Sequence, residues 1–331
     1  MYIIQTYPIA ILACFVTMLC WGSWANTQKL AGSTWRFELF YWDYVLGIVL
    51  TALLLAFTIG SVGASGRAFL PDVAQADTAN VWSAVIGGII FNAANILLGA
   101  AIAIAGMSVA FPVGIGLALV IGVVVNYISL PVGNAALLFG GVALVMVAIL
   151  LNANAYRRLT TATQGLPVKG LLLAVVAGVL MGFFYKYVAA SMFPDFTRPE
   201  PGKLSPYTAV VFFALGILGS NVVFNSLLMA RPFVGKPVGY GDYFRGSARS
   251  HLTGILGGLI WCVGMSLSII ASGLAGPAIS YGLGQGATVV AALWGIYVWH
   301  EFRSAPPGTN TLLNGMLLCY ALGLGLLILA R

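Results

Sequence analysis

Charge is what this chain has least of. Only 7% of its 331 residues are Asp, Glu, Lys or Arg, 60% are hydrophobic, and the mean hydropathy is +1.00. A soluble domain carries roughly a quarter charged residues, so most of this chain cannot face water. Histidine is limited to His251 and His300, both at run ends. Cysteine is limited to Cys14, Cys20, Cys262 and Cys319, with no Cys-x-x-Cys pair. Neither a metal site nor a disulfide framework is suggested, and no cofactor is expected. There is no His-Glu-x-x-His, no Gly-x-Ser-x-Gly and no pair of buried aspartates, so an intramembrane enzyme has poor support. No ring of repeated charges points to a channel. The net charge of +7 is expected of basic loops beside a membrane and gives no reason to invoke nucleic acid.

What is there is a series of long apolar runs. Ten are read: Tyr7–Ala25, Leu39–Ile59, Trp82–Ala105, Ser108–Leu130, Asn134–Leu151, Val168–Ser191, Tyr207–Met229, Leu252–Ile270, Pro277–Val298 and Leu312–Ala330. A spanning helix needs about 20 apolar residues and a spanning strand about 10, so all ten are read as helices. They leave little sequence for a soluble domain. The first run has no basic residue before it and is long enough to span, so no cleaved signal is expected. The connections Gly106-Met107 and Pro131-Val132-Gly133 are too short for anything but antiparallel neighbours.

The chain repeats across its middle. Ala110-Phe111-Pro112-Val113-Gly114-Ile115-Gly116 recurs as Ala278-Ile279-Ser280-Tyr281-Gly282-Leu283-Gly284, 168 residues later. Both copies read Ala-apolar-x-x-Gly-apolar-Gly, in the fourth and ninth runs. Five crossings separate them, so the copies enter the membrane from opposite faces. Trp21-Gly22 aligns with Met181-Gly182, and Asn134 with Asn310. The expected fold is all-α integral membrane, two inverted five-helix repeats covering residues 1–155 and 156–331, joined near Asn152–Pro167. Inverted repeats around a midplane site mark alternating-access carriers.

Loops on one side carry Lys29, Arg36, Arg157, Arg158, Lys169, Arg231, Lys236, Arg245, Arg249 and Arg303. The other side carries Arg67, Arg198, Lys203 and Arg331. The positive-inside rule puts the first set in the cytoplasm and both termini on the non-cytoplasmic side, in a multi-pass protein of the plasma (inner) membrane. The 41 glycines serve close helix packing or bends that line a cavity; spacing alone leaves both open.

Several stretches resemble known carriers. Trp21-Gly22-Ser23 at the end of the first run is similar to the Trp-Gly-Ser entry of sugar-uptake and rhamnose–proton symporter proteins. The stretch Gly106-Met107-Ser108-Val109-Ala110-Phe111-Pro112-Val113-Gly114-Ile115-Gly116 resembles the matching stretch of ureide permeases, as does Tyr41-Trp42-Asp43-Tyr44. Together with the ten runs, these resemble the drug/metabolite transporter superfamily. The resemblance implies that helices one to four and six to nine line a cavity, with five and ten peripheral. Plant ureide permeases carry a long central loop with a phosphate-loop-like motif. Here Asn152–Pro167 is short and has no Gly-Lys-Ser/Thr.

Polar groups inside the membrane are expensive and are functional candidates by default. Asp43 lies inside the second run, with Glu38 nearer the surface. Either carboxylate is a candidate to load and release a coupling proton; the alternative for Asp43 is an interfacial ion pair with Lys29 or Arg36. Lys186 lies about 27 Å along the sixth run at 1.5 Å per residue, where it either snorkels or holds substrate. Asn92 and Asn95 share one helical face, as do Asn221 and Asn225. Amides both donate and accept, which suits a neutral polar substrate, though Asn also bonds between helices. Tyr281 and Gln285 are four apart on the ninth run. Trp21, Trp24 and Trp261 are candidates to stack on a flat ring, or belong to an interfacial belt. The expected function is secondary transport of a ureide, nucleobase or monosaccharide, probed through Asn92, Asn95, Asn221, Asn225, Tyr281, Gln285, Trp24 and Lys186. Export of amphipathic compounds is the alternative. The partners are a small-molecule substrate, the lipid bilayer and a coupling proton, with a homodimer left open.

Overall fold

The computed structural model describes residues 1–32, 35–159 and 168–331, apart from the side chains of Met107 and Ser108. Ten helices among them are long and apolar enough to cross a membrane. Spans 1 to 5 are Tyr7–Ala31, Phe37–Phe57, Thr78–Ala105, Val109–Ser129 and Ala135–Arg157. Spans 6 to 10 are Val168–Ser191, Pro206–Ala230, Ala248–Ala275, Pro277–Val298 and Thr309–Leu329. The described residues form no strand, only the isolated bridges Ala76–Gly202 and Met192–Leu204 between loops. Helices follow from the solvent: in lipid each backbone N–H and C=O must bond within its own segment.

Local chemistry sets the ends. Pro206 and Pro277 open spans 7 and 9, where a missing N–H costs nothing. Asn134 accepts from the amides of Ala136 and Leu137, and Ser247 from that of Ser250. Gly106 (φ 77°) and Gly276 (φ 82°) take left-handed conformations between spans 3 and 4 and between spans 8 and 9. Only glycine adopts these freely, and each reverses the chain without a loop. Two short helices absent from the sequence reading, Phe69–Gln75 and Tyr240–Phe244, lie in the 2–3 and 7–8 connections.

Spans 1 and 9 are not continuous. Span 1 turns at Trp24–Ala25, where Thr27 N–H bonds to Trp24 C=O and Gln28 N–H to Ala25 C=O. Span 9 turns at Gln285–Gly286, with Gly286 N–H on Leu283 C=O and Val289 N–H on Gly286 C=O. It then ends in a π turn at Trp294–Val298, a form that often marks functional positions. The bonds at Trp24–Ala25 and Gln285–Gly286 tighten to i→i+3, so each helix bends there without exposing many backbone groups.

Packing runs through glycines that let backbones approach. A Cβ on Gly47 would meet the Ile255 carbonyl, and one on Gly258 the Tyr44 carbonyl, so spans 2 and 8 lock reciprocally. Gly88 against Phe213 and Gly216 against Val85 lock spans 3 and 7 in the same way. Gly22 of span 1 abuts Val290 of span 9, and Gly182 of span 6 abuts Ile121 of span 4. Spans 5 and 10 pack on each other through Gly141 and Gly323. Leu12, Leu19, Leu50, Leu54, Leu318 and Leu322 are exposed and face the lipid.

Loops group into two faces. Lys29 pairs with Glu301, Arg36 bonds to the Lys236 carbonyl, and Arg158 bonds to the Pro307 carbonyl on one. The opposite face joins Tyr2 to Ile59, Asp77 to Gly202 and Asn134 to Ala330. Ten basic loop residues thus share the first, basic face.

Candidate binding cavity

A cavity of about 870 Å³ opens toward the basic face. Its mouth carries Lys29, Arg36, Trp299 and Glu301, and no residue of an opposite-face connection lines it. Spans 1, 8 and 9 make one wall and spans 3, 4 and 6 the other. Span 2 contributes Phe37 and span 5 contributes Asn152 and Tyr156, while span 7 contributes nothing. The resemblance had put span 5 at the periphery and span 7 in the wall. Span 7 is screened instead: its Phe213 stacks beneath Trp261, with centroids 6.0 Å apart.

The deep end is aromatic. Trp21 and Trp261 stack at 5.9 Å and 12°, and Phe91 lies 4.4 Å from Trp261. Polar groups interrupt these rings at a few points only. Gln285 sits at the break in span 9, on the wall, with no hydrogen bond from its side chain to any described residue. Asn95 of span 3 also lines the wall and donates Nδ2–H to the Tyr41 hydroxyl at 3.1 Å. Asn26, Gln28 and Thr288 add further neutral groups. An apolar, aromatic pocket with few polar groups is the usual form of a small-molecule site.

The stacking candidates Trp21 and Trp261 line the cavity, and so do three of the eight residues expected to bind substrate, Trp24, Asn95 and Gln285. The other five do not. Asn92 is buried one layer behind, accepting from Tyr41 at 3.0 Å and donating to Ser220 Oγ at 2.9 Å. Asn221 is buried with no partner among the described residues for either side-chain atom, and Asn225 donates to the Glu38 carbonyl at 2.8 Å. Tyr281 shares its proton between the Ala118 and Met181 carbonyls, 3.1 Å from each. Lys186 is half-buried on span 6 with no ion pair to a described residue.

The two acids also sit outside the cavity. Asp43 is buried, and neither Lys29 nor Arg36 reaches it. His251 Nδ1 lies 3.0 Å from each of its oxygens, and Tyr243 donates to Oδ1 at 2.6 Å. Burial first, and then the Asp43 carboxylate, push the Tyr243 hydroxyl above its ordinary range. Glu38 forms a two-point pair with Arg36, at 3.1 Å and 2.5 Å. Arg36 also holds the Val234 and Lys236 carbonyls of the 7–8 connection. The sequence reading gave no site role to His251, Tyr243, Tyr41 or Glu301. Glu301 lines the mouth, paired with Lys29 at 3.2 Å and accepting from Tyr156 at 2.7 Å.

Beyond the deep end the opposite face is closed. Tyr185 donates to the Ser268 carbonyl at 3.1 Å, and Ser280 Oγ lies 3.5 Å away. Loops above are clasped: Arg67 pairs with buried Asp72 at 2.9 Å, and Asp72 accepts from the Ser205 amide at 2.7 Å.

The ureide permease family model matches residues 40–166 and 155–330, nearly the whole chain. The chain belongs to the ureide permease family. Ureide permease 1 of Arabidopsis thaliana is 24% identical over 389 residues, covering 99% of this chain and 98% of the relative. Ureide permease 5 of the same plant is 23% identical, covering 99% and 95%. A solved crystal structure, 15% identical, superposes with a TM-score of 0.58 over 95% of this chain and 96% of its own; that likeness shows the fold alone. Ureide permeases are transporters and not enzymes, which sets aside the intramembrane-enzyme reading. Membership places this permease, with its ten apolar helices, in a lipid bilayer as a multi-pass protein, with a small polar metabolite as its cargo.

Proposed function

We propose that this ureide permease is a secondary transporter whose cargo is a neutral ureide or nucleobase, moved by alternating access. The cavity carries the proposal. Its aromatic floor offers faces to a flat ring, and Asn95 and Gln285 offer amide edges with unused bonding capacity. The relatives' printed names supply the ureide class. A monosaccharide fits the same groups less well, because flat stacking surface exceeds hydroxyl-matching polar groups here.

The inverted repeat supports alternating access. Exchanging spans 1–5 with spans 6–10 turns the 2–8 glycine lock into the 3–7 lock, and the Gly22–Val290 contact into the Gly182–Ile121 contact. Gly106 and Gly276 are equivalent turns. Two bundles follow: spans 1, 2, 8 and 9, and spans 3, 4, 6 and 7, with the cavity between. Tyr185 and Tyr281 each cross from one bundle to the other and seal the opposite end. With the basic face in the cytoplasm, both termini lie outside in the plasma membrane and the state is inward-open. Halves 1–155 and 156–331 are then joined at Asn152–Pro167, of which residues 160–167 lie outside the described residues. One chain supplies the whole cavity wall, so the mechanism needs no second copy.

Proton coupling is assigned to Asp43 with His251. A carboxylate facing an imidazole at 3.0 Å can exchange a proton with little movement, and its hydrogen bond to Tyr243 ties that event to the 7–8 connection. Glu38 is committed to Arg36 and is the weaker candidate. Export down the same path is the alternative, decided by the direction of proton-driven flux. The test is purified protein in liposomes loaded with unlabelled uracil or hydantoin and given trace label outside. Saturable counterflow of the unchanged compound supports the proposal, and its absence for every ureide and nucleobase tried rejects it.

A further inference from the structure

Donor and acceptor accounting behind the cavity wall leads to a selectivity rule. Ser220 Oγ donates to the Gly216 carbonyl at 2.7 Å, so toward Asn92 it can only accept. Asn92 Nδ2 reaches that oxygen at 2.9 Å and the Ile217 carbonyl at 3.4 Å. A backbone carbonyl never donates, so this side of Asn92 must be its NH2. Its Oδ1 then faces Tyr41 and accepts the hydroxyl proton at 3.0 Å. Tyr41 has one proton, now committed, and so can only accept from Asn95, whose Nδ2 lies 3.1 Å away. The acceptor left unspent at the end of the chain is Asn95 Oδ1, which takes no hydrogen bond from a described residue. Tyr41 and Asn92 are fully buried, so water cannot reset the order.

We propose that Tyr41 is a positioning residue that fixes the polarity of the cavity wall, turning the Asn95 carbonyl oxygen toward the cargo. The permease then selects cargo that offers an N–H at this point and rejects the same ring carrying N–CH3. A free amide could rotate and serve either a donor or an acceptor; an anchored one cannot. The rule rests on the reading of the cavity as the cargo site.

The experiment uses the full-length purified protein and thermal stabilisation by uracil, hydantoin and their singly N-methylated forms. In the unaltered protein, one N-methyl position weakens binding about tenfold or more, as expected for one lost buried hydrogen bond. Tyr41→Phe brings that ratio close to one, because Asn95 is free to turn. Adding Asn95→Asp to Tyr41→Phe restores the preference, since a carboxylate presents acceptors in every orientation. An unchanged ratio in Tyr41→Phe overturns the proposal and leaves the cargo site standing. The relay is also read without ligand: losses in melting temperature from Tyr41→Phe and Asn92→Leu must be less than additive. Additive losses overturn it whatever the rings do. If coupling is intact but no ring binds, the cargo-site reading fails and the selectivity rule falls with it.

Discussion

On the proposed reading, recognition turns on Asn95 and Gln285, because both line the cavity with capacity unspent. Leaving a cargo group unpaired costs about 1–3 kcal/mol, so Asn95→Ala and Gln285→Ala should each weaken binding roughly 5- to 150-fold, by equilibrium binding of a ureide or nucleobase. Asn221→Ala and Asn225→Ala should leave the same constant unchanged, since both sit behind the wall. Sequence spacing put each asparagine pair on one helical face. It could not say which member fronts the cavity, because that depends on the rotation of the helix against its neighbours. His251 was set aside as a run-end residue for a similar reason: it meets Asp43 across 208 residues of chain. Asp43→Asn should abolish uphill accumulation under a pH gradient and leave counterflow intact, because exchange moves no net proton. His251→Gln should follow it. Accumulation that survives both changes would place the coupling elsewhere, with Glu301 at the mouth the next acid to test.

At the scale of elements, the breaks in spans 1 and 9 were hidden because tightened turns leave hydropathy unchanged; Gly286 marked one of them, with no signal of its own to separate bending from packing. The lengths and existence of the spans were legible because lipid permits few alternatives. The reciprocal glycine locks set the cost of change. Gly258→Val should force the Tyr44 backbone away and destabilise the protein by about 1–3 kcal/mol, seen as a lower melting temperature without a change in cargo specificity. Tyr185 and Tyr281 close the opposite end, and Cys14, buried 3.7 Å from Ser280, reports on it. With the other three cysteines replaced, Tyr185→Phe combined with Tyr281→Phe should speed labelling of Cys14 by an impermeant maleimide from that side. An unchanged rate would mean the tyrosines do not hold the closure.

At the scale of the whole molecule, the proposal is of two bundles that rock about one cavity, held between faces of unequal charge. Its sidedness came from counting loop charges, which the fold then grouped on one face, and a single cysteine at Arg158 tests the orientation. It should stay unlabelled by an impermeant reagent on intact cells; ready labelling would invert the topology and turn the cavity outward. What was legible was a set of seven aligned residues with glycines at fixed positions, from which the repeat is proposed. The bundles themselves were not, since they depend on which spans pack across the halves. Counterflow in liposomes tests the central claim most directly, with wild type beside the Asn95→Ala, Gln285→Ala double variant. The account predicts saturable exchange of an unmodified ureide or nucleobase in wild type, lost in the double variant while its melting temperature is kept. Exchange that persists undiminished in the double variant would contradict it, because the cargo would then cross by a path that does not use this cavity.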